Sequence, residues 1–202
     1  MAILNFPSIL PEIHDFGIRY NTQVSTSSIS GIVQTVELPG ARWKGSLRFS
    51  DMTPTTSAAL KTFLLQLRGS SGRFFYGDLT HTIPFNSVTG SLTIESASTP
   101  RIIRTTLSAS SPAFSAGDYI QIGSDDQREL KMVISSANVA GDTYDLVIEP
   151  LIRRTDYIGL PVIYTNPKGV FFLNSDDQAS WASRGKGILT DINLDFTEIF
   201  VQ

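Results

Sequence analysis

Two stretches of strict alternation stand at opposite ends of the chain, and together they constrain the fold more than any other feature. In residues 41–49, Ala41, Trp43, Leu47 and Phe49 share one parity, while Arg42, Lys44, Ser46 and Arg48 occupy the other. Towards the C-terminus Ile188, Ile192, Leu194, Phe196 and Phe200 fall on one face, with Asp191, Asn193, Asp195 and Thr197 opposite. A period of two with one wet face is the pattern of a half-buried β-strand. If both strands complete one sheet, the chain between them must leave that sheet and come back to it. The expectation is therefore a β domain split by an insertion, a kind of interruption that turn-rich surface sites tolerate well.

The intervening sequence can be divided on local signals. Thr53 stands as an N-cap, Pro54 at the first helical position and Gly69 just past the end. Between them Leu60, Phe63, Leu64 and Leu67 follow helical spacing, so one helix with a narrow apolar stripe is expected to dock on the sheet. A Gly/Ser turn at 69–72 leads into a short aromatic strand at 73–77. From about Asn86 the texture changes to five short strand-like runs, at 101–107, 118–122, 129–134, 144–148 and 161–164, with no strong helix among them. Five short strands suit a small closed barrel of the OB type, with a β-sandwich fragment as the alternative.

The predicted fold class is thus mainly β. A split sandwich or barrel-like domain with one helix covers 1–85 and 166–202, and an OB-like barrel covers 86–165. Charge supports two units: 86–165 carries six basic and nine acidic side chains, while the remainder carries ten of each. Ser and Thr number 43 of 202 residues, and short β-branched and aromatic runs between them add to the β-rich texture.

Composition narrows the chemistry. With no cysteine there are no disulfides, thiolate metal sites or cysteine nucleophiles. A net charge of −3 does not suggest a general nucleic-acid or anionic-membrane binder. No apolar run approaches the ~20 residues that span a bilayer, and residues 1–15 lack a basic segment before an apolar one, so synthesis and folding in a cytoplasm is expected.

Catalysis has little to work with. His14 and His81 are the two histidines, and neither sits in a nucleophile elbow or a zinc-protease motif. His14 and Asp15 are adjacent, so on a strand they point to opposite faces; a surface pair is expected. Ser-Asp-Asp-Gln occurs at 124–127 and again at 175–178. Calcium-loop spacing is missing from both, and hairpin turns are expected instead. No phosphate-binding glycine motif is present, and Gly185-Lys186-Gly187 is too short to indicate one. No catalytic, cofactor-binding or metal-ligating residue is assigned.

The wet faces of the two alternating strands carry opposite signs: Arg42, Lys44 and Arg48 on one, Asp191 and Asp195 on the other. Within one chain such rows would steady neighbouring strands by about 0.2–1 kcal/mol per pair. Between subunits they would set the register of an assembly. Sequence leaves both readings open.

Three segments resemble one family. Gly31-Ile32-Val33-Gln34-Thr35-Val36-Glu37-Leu38-Pro39-Gly40-Ala41-Arg42-Trp43 is similar to the N-terminal part of distal tail proteins of long-tailed, non-contractile bacteriophages. Gly72-Arg73-Phe74-Phe75-Tyr76-Gly77-Asp78 and Asn166-Pro167-Lys168-Gly169-Val170-Phe171-Phe172-Leu173 resemble the same group. The order of elements also matches members whose split β domain holds one helix and an inserted OB-fold.

The resemblance implies a structural virion protein at the tail tip. It would be a self-assembled ring, a hexamer in the family, joining the tail tube protein to the tip or baseplate hub protein. The inserted barrel would face outward, where side fibres attach, and DNA would pass through the lumen without tight binding. Cyclic assembly needs two different complementary patches on each subunit; Arg42, Lys44 and Arg48 against Asp191 and Asp195 are the candidate pair. Two other classes compete. A carbohydrate-binding module for host-surface glycans would use Tyr144, Tyr157 and Trp181 as an exposed platform, although core packing is expected for at least two of them. A single-strand nucleic-acid binder of OB type would need a cationic groove, against the negative charge of 86–165.

Overall fold

The computed structural model describes residues 3–107, 114–184 and 188–200. Gly185-Lys186-Gly187 and the side chain of Ile188 lie outside the described ones. In chain order the first elements are β1 (Leu4–Asn5), β2 (Ile13–Thr26), β3 (Val33–Phe49), α1 (Pro54–Leu67) and β4 (Phe74–Tyr76). There follow β5 (Leu92–Thr99), β6 (Ile102–Leu107), β7 (Tyr119–Ile122), β8 (Glu129–Ala140), β9 (Thr143–Glu149) and β10 (Pro161–Ile163). The last strands are β11 (Gly169–Leu173), β12 (Ala182–Arg184) and β13 (Ile188–Glu198). The fold is mainly β, with one α-helix and two sheets.

The first sheet runs β1-β4-β11-β13-β3-β2, with β12 added to β13. Its centre is the pair of alternating strands: β13 lies antiparallel on β3, with Leu194 opposite Leu47 and Phe196 opposite Gly45. Their inward residues, Trp43, Leu47, Phe49, Ile192, Leu194 and Phe196, are all buried, as the alternation requires. Gly45 is needed there for space. A Cβ on it would come within 2.3 Å of the Phe196 ring, which lies over the glycine beside Phe16.

Helix α1 covers the core with Leu60, Phe63, Leu64 and Leu67, the stripe expected from their spacing. Thr53 caps it by accepting from the Thr56 N–H at 3.3 Å, and Arg68 closes it in a left-handed conformation just before Gly69. Thr53→Ala removes that acceptor and is expected to cost about 1 kcal/mol, read as a lower urea midpoint with unchanged slope.

The second sheet is a closed barrel in the order β10-β5-β6-β9-β8-β7, every neighbouring pair antiparallel. All five expected runs are strands of it. The sixth, β5, was missed because Ser-Leu-Thr-Ile-Glu-Ser-Ala-Ser-Thr buries only Leu92 and Ile94 fully, too short an alternation to stand out in a Ser/Thr-rich stretch. The barrel fills itself with Ile103, Ile120, Ile122, Val133, Leu146 and Ile148, among others. The chain leaves and rejoins the first sheet at one place, where the Asn166 N–H donates to the Thr82 carbonyl at 2.7 Å.

Of the two Ser-Asp-Asp-Gln segments, only the first is a hairpin turn, joining β7 to β8. The second opens a short 3-10 helix (Asp176–Ala179), capped by the Ser175 hydroxyl accepting from the Asp177 N–H. There the Asp176 carboxylate accepts from the Ser70 N–H at 2.8 Å and from its hydroxyl, so the aspartate ties two loops together. Those bonds hold its carboxyl below the usual range.

Candidate functional site

Each histidine lies beside a carboxylate of another segment. His14 is not half of a surface pair: its ring turns inward, stacks on Phe16 with centroids 5.9 Å apart, and lies 3.7 Å from Asp78, while Asp15 is exposed. His81 Nε2 is 3.1 Å from Asp118, whose buried carboxylate also accepts from the Phe85 and Ser115 N–H groups. That aspartate ties the segment leading into the barrel to the barrel wall. Burial, reinforced by Asp78, pushes the Tyr76 and Tyr119 hydroxyls up, which disfavours either as a proton carrier near neutrality. Among the described residues no hydroxyl is hydrogen-bonded to either histidine, and no cluster of three or more acidic or histidine side chains could hold a metal.

The two charged rows lie side by side in one chain. Arg48 donates to Asp191 at 3.3 Å across the β3–β13 ladder, and Asp195 shares a shallow cleft with Lys44. Their complementarity therefore serves pairing within the sheet. Within the subunit Arg48 and Lys44 thus face the acidic row, whereas Arg42 lies opposite Arg19 on β2.

Tyr144, Tyr157 and Trp181 are not brought together. The first two are half-buried against the barrel core, whereas Trp181 stands beside α1 under the Lys61 ammonium, 5.0 Å away. The barrel's cations are also largely spoken for: Arg104 forks onto Asp145, Arg101 bridges Glu149 and Glu37, and Lys131 is buried against Glu129. Arg128 and Arg153, which these pairs leave out, share one cavity with Arg42 and Arg154, whereas a single strand needs a charged track along the barrel with stacking aromatics.

What the structure adds is an arm. Beyond the sheet, β2 and β3 continue as a two-stranded ribbon, with registers from Asn21 opposite Leu38 to Thr26 opposite Val33. It ends in a turn where Ser27 N–H donates to the Ile32 carbonyl and Gly31 takes a positive φ of 68°. Every residue from 19 to 39 is exposed, and Glu37 is the one charge between residues 20 and 40. Val24, Ile29, Ile32, Val33 and Val36 all face water, Ile29 at 97%. A free ribbon of this kind is marginal alone. With two unpaired edges and almost no charge, it is also a template for pairing or packing against another chain. Sequence reasoning took only 41–49 as a strand here. The signal available was the Val/Thr/Gln alternation of 33–38 and its Ser/Gly turn.

At the base of the arm the two sheets meet around buried charge. Trp43 Nε1 donates to the Leu130 carbonyl at 2.8 Å, joining β3 to β8. Beside it Glu198 of β13, fully enclosed, accepts from the Trp43 N–H at 3.2 Å and leaves its other oxygen unpartnered. Burial pushes this carboxyl up to about 7 and Glu129 adds to that, against the pull of Lys131, the Trp43 N–H and Arg153. Lys131, also buried, donates to Glu129 at 2.6 Å and to the Leu151 carbonyl at 3.0 Å.

Compared with known proteins, the chain matches no family model and no curated protein.

Proposed function

We propose that this chain is a structural, ring-forming subunit of a phage tail tip, a distal tail protein joining the tail tube to the tip or baseplate hub. The observation that carries the reading is the arm of residues 20–38, a ribbon with a single charge, Glu37, and with exposed valines and isoleucines that nothing among the described residues covers. A head-to-tail ring needs two different complementary surfaces on each subunit, and a projecting apolar ribbon offers one of them. The reading is also supported by the resemblance of residues 31–43, 72–78 and 166–173 and by the order of sheet, helix, barrel and returning strands. Histidines tied to structural carboxylates fit a scaffold better than an enzyme. In this reading the subunit is made in the host cytoplasm and resides in the virion.

The test is mass. Light scattering at high concentration is expected to find about six copies of the 22.1 kDa chain, and negative-stain images to show rings. Val24→Lys with Val36→Lys places a charge on each face of the arm and is expected to leave the circular dichroism spectrum unchanged while abolishing the ring. A wild-type chain that stays monomeric and ringless at its solubility limit, or a doubly charged arm that still assembles, overturns the reading.

A further inference from the structure

The cavity between the first sheet and the barrel carries a chemistry that the ring reading does not use. It has a volume of about 310 Å³ and is walled by four arginines from three segments: Arg42 of β3, Arg128 just before β8, and Arg153 and Arg154 after β9. One of these is neutralised. Arg154 is paired with Asp125 at 3.1 Å and with Asp156 at 2.8 Å.

Among the described residues the other three have no carboxylate within ion-pair distance, yet they are held in place. Arg128 donates to the Ser124 and Asp125 carbonyls and lies over the Phe75 ring at 3.7 Å. Arg153 donates to the Ala41 carbonyl and lies over the Phe200 ring at 3.6 Å, and Arg42 approaches the same ring at 5.6 Å. The acid in the wall, Glu129, is already committed to Lys131 and to the Arg153 and Arg154 N–H groups.

This arrangement costs the free protein. Arg42 sits directly opposite Arg19 across the β2–β3 ladder, a like-charge pair that disfavours pairing. Burial makes the Arg153 guanidinium easier to deprotonate than usual, with Arg42 adding to it against the pull of Glu198 and Glu129, and burial does the same to Arg128 against the pull of Asp126 and Asp125. Planar guanidinium forks stacked on aromatic rings are preorganised for a charged oxygen pair, and such bonds are stronger than neutral ones.

We propose that this cavity is a binding site for an oxyanion, a carboxylate or phosphate group seated between Arg42, Arg128 and Arg153. The group comes either from an acidic side chain of a partner protein or from a free inorganic anion. The test uses the full chain, at ionic strength held constant with sodium chloride, and titrates a tetraglutamate peptide and inorganic phosphate separately by calorimetry. At least one is expected to bind, and Arg42→Gln is expected to weaken it about tenfold. Lys61→Gln, which removes an equal charge far from the cavity, is expected to leave it unchanged. Binding of the peptide alone assigns the source to a partner's acidic side chain, and binding of phosphate assigns it to a free anion. Absence of both at millimolar concentration, or equal loss in the two variants, overturns the site. Because the readout is binding, not mass, its failure is distinguishable from failure of the ring reading.

Discussion

Trp43→Ala is expected to cost about 3–5 kcal/mol, a large fraction of the usual total of about 5–15 kcal/mol for a folded chain. The indole is 2% exposed and lies parallel to Phe16 at 5.1 Å, with Tyr119 5.4 Å away. Removing it opens a cavity under the central strand. It also strands the Leu130 carbonyl, which loses its indole donor at the joint between the sheets. Two effects can be separated. Trp43→Phe keeps an aromatic ring but not the donor, and is expected to lose about 1–3 kcal/mol. In urea the wild type should unfold in one transition, whereas Trp43→Ala should show the barrel and the first sheet melting apart when followed by tyrosine and amide signals. A single transition at an unchanged midpoint would show that Trp43 does not couple them.

The second large effect lies at the same joint and has an unusual sign. A carboxyl whose folded value is raised binds its proton more tightly folded than unfolded, so stability falls as pH rises. For Glu198, pushed up to about 7, the penalty is absent below the ordinary glutamate value near 4.5, grows between there and 7, and is complete above about 8. Its full size is about 3 kcal/mol. Glu198→Gln keeps an acceptor for the Trp43 N–H and removes the titration. Lys131 retains Glu129 at 2.6 Å, so the substitution does not leave a lone buried cation. The expected result is that the variant loses less stability than the wild type between pH 5 and pH 8, by up to about 3 kcal/mol in denaturant titrations. Parallel pH profiles for the two proteins would remove Glu198 as the titrating group.

Much of the architecture could be read in advance because the signals were local. The helix is marked by a capping threonine, a first-turn proline and, just past the left-handed Arg68 that closes it, Gly69. The two central strands announced themselves by strict alternation, and the place where the barrel interrupts the sheet was marked by Asn166-Pro167 and the turn residues before Asn86. Even so, β5 and the arm carry only weak signals of this kind: two fully buried residues in β5, and in the arm a β-rich run and a Ser/Gly turn without a buried face. Alternation identifies a strand only where one face is buried, and on the arm neither face is. His14 was misplaced for a related reason: a neighbouring aspartate in sequence says nothing about the carboxylate that tertiary packing brings near.

The candidate sites divide along the same line. Arg42, Arg48, Asp191 and Asp195 were legible as charged rows, but whether such rows meet within a chain or between chains depends on strand order, and the sheet places them side by side. Arg128, Arg153 and Arg154 carry no motif; they converge with Arg42 only because the barrel seats against β3.

By itself the sequence determined that this chain is mainly β, that a sheet assembled from both its ends is interrupted by a small barrel, and which residues of the two central strands and the helix face the core, since backbone periodicity and turn chemistry act over a few residues. Only the tertiary structure decided which charges are paired, where the unpaired arginines and the enclosed Glu198 gather, and that a ribbon of residues projects unburied. Those properties depend on which segments the fold brings together, from Arg104 and Asp145, 41 residues apart, to Trp43 and Glu198, 155 apart.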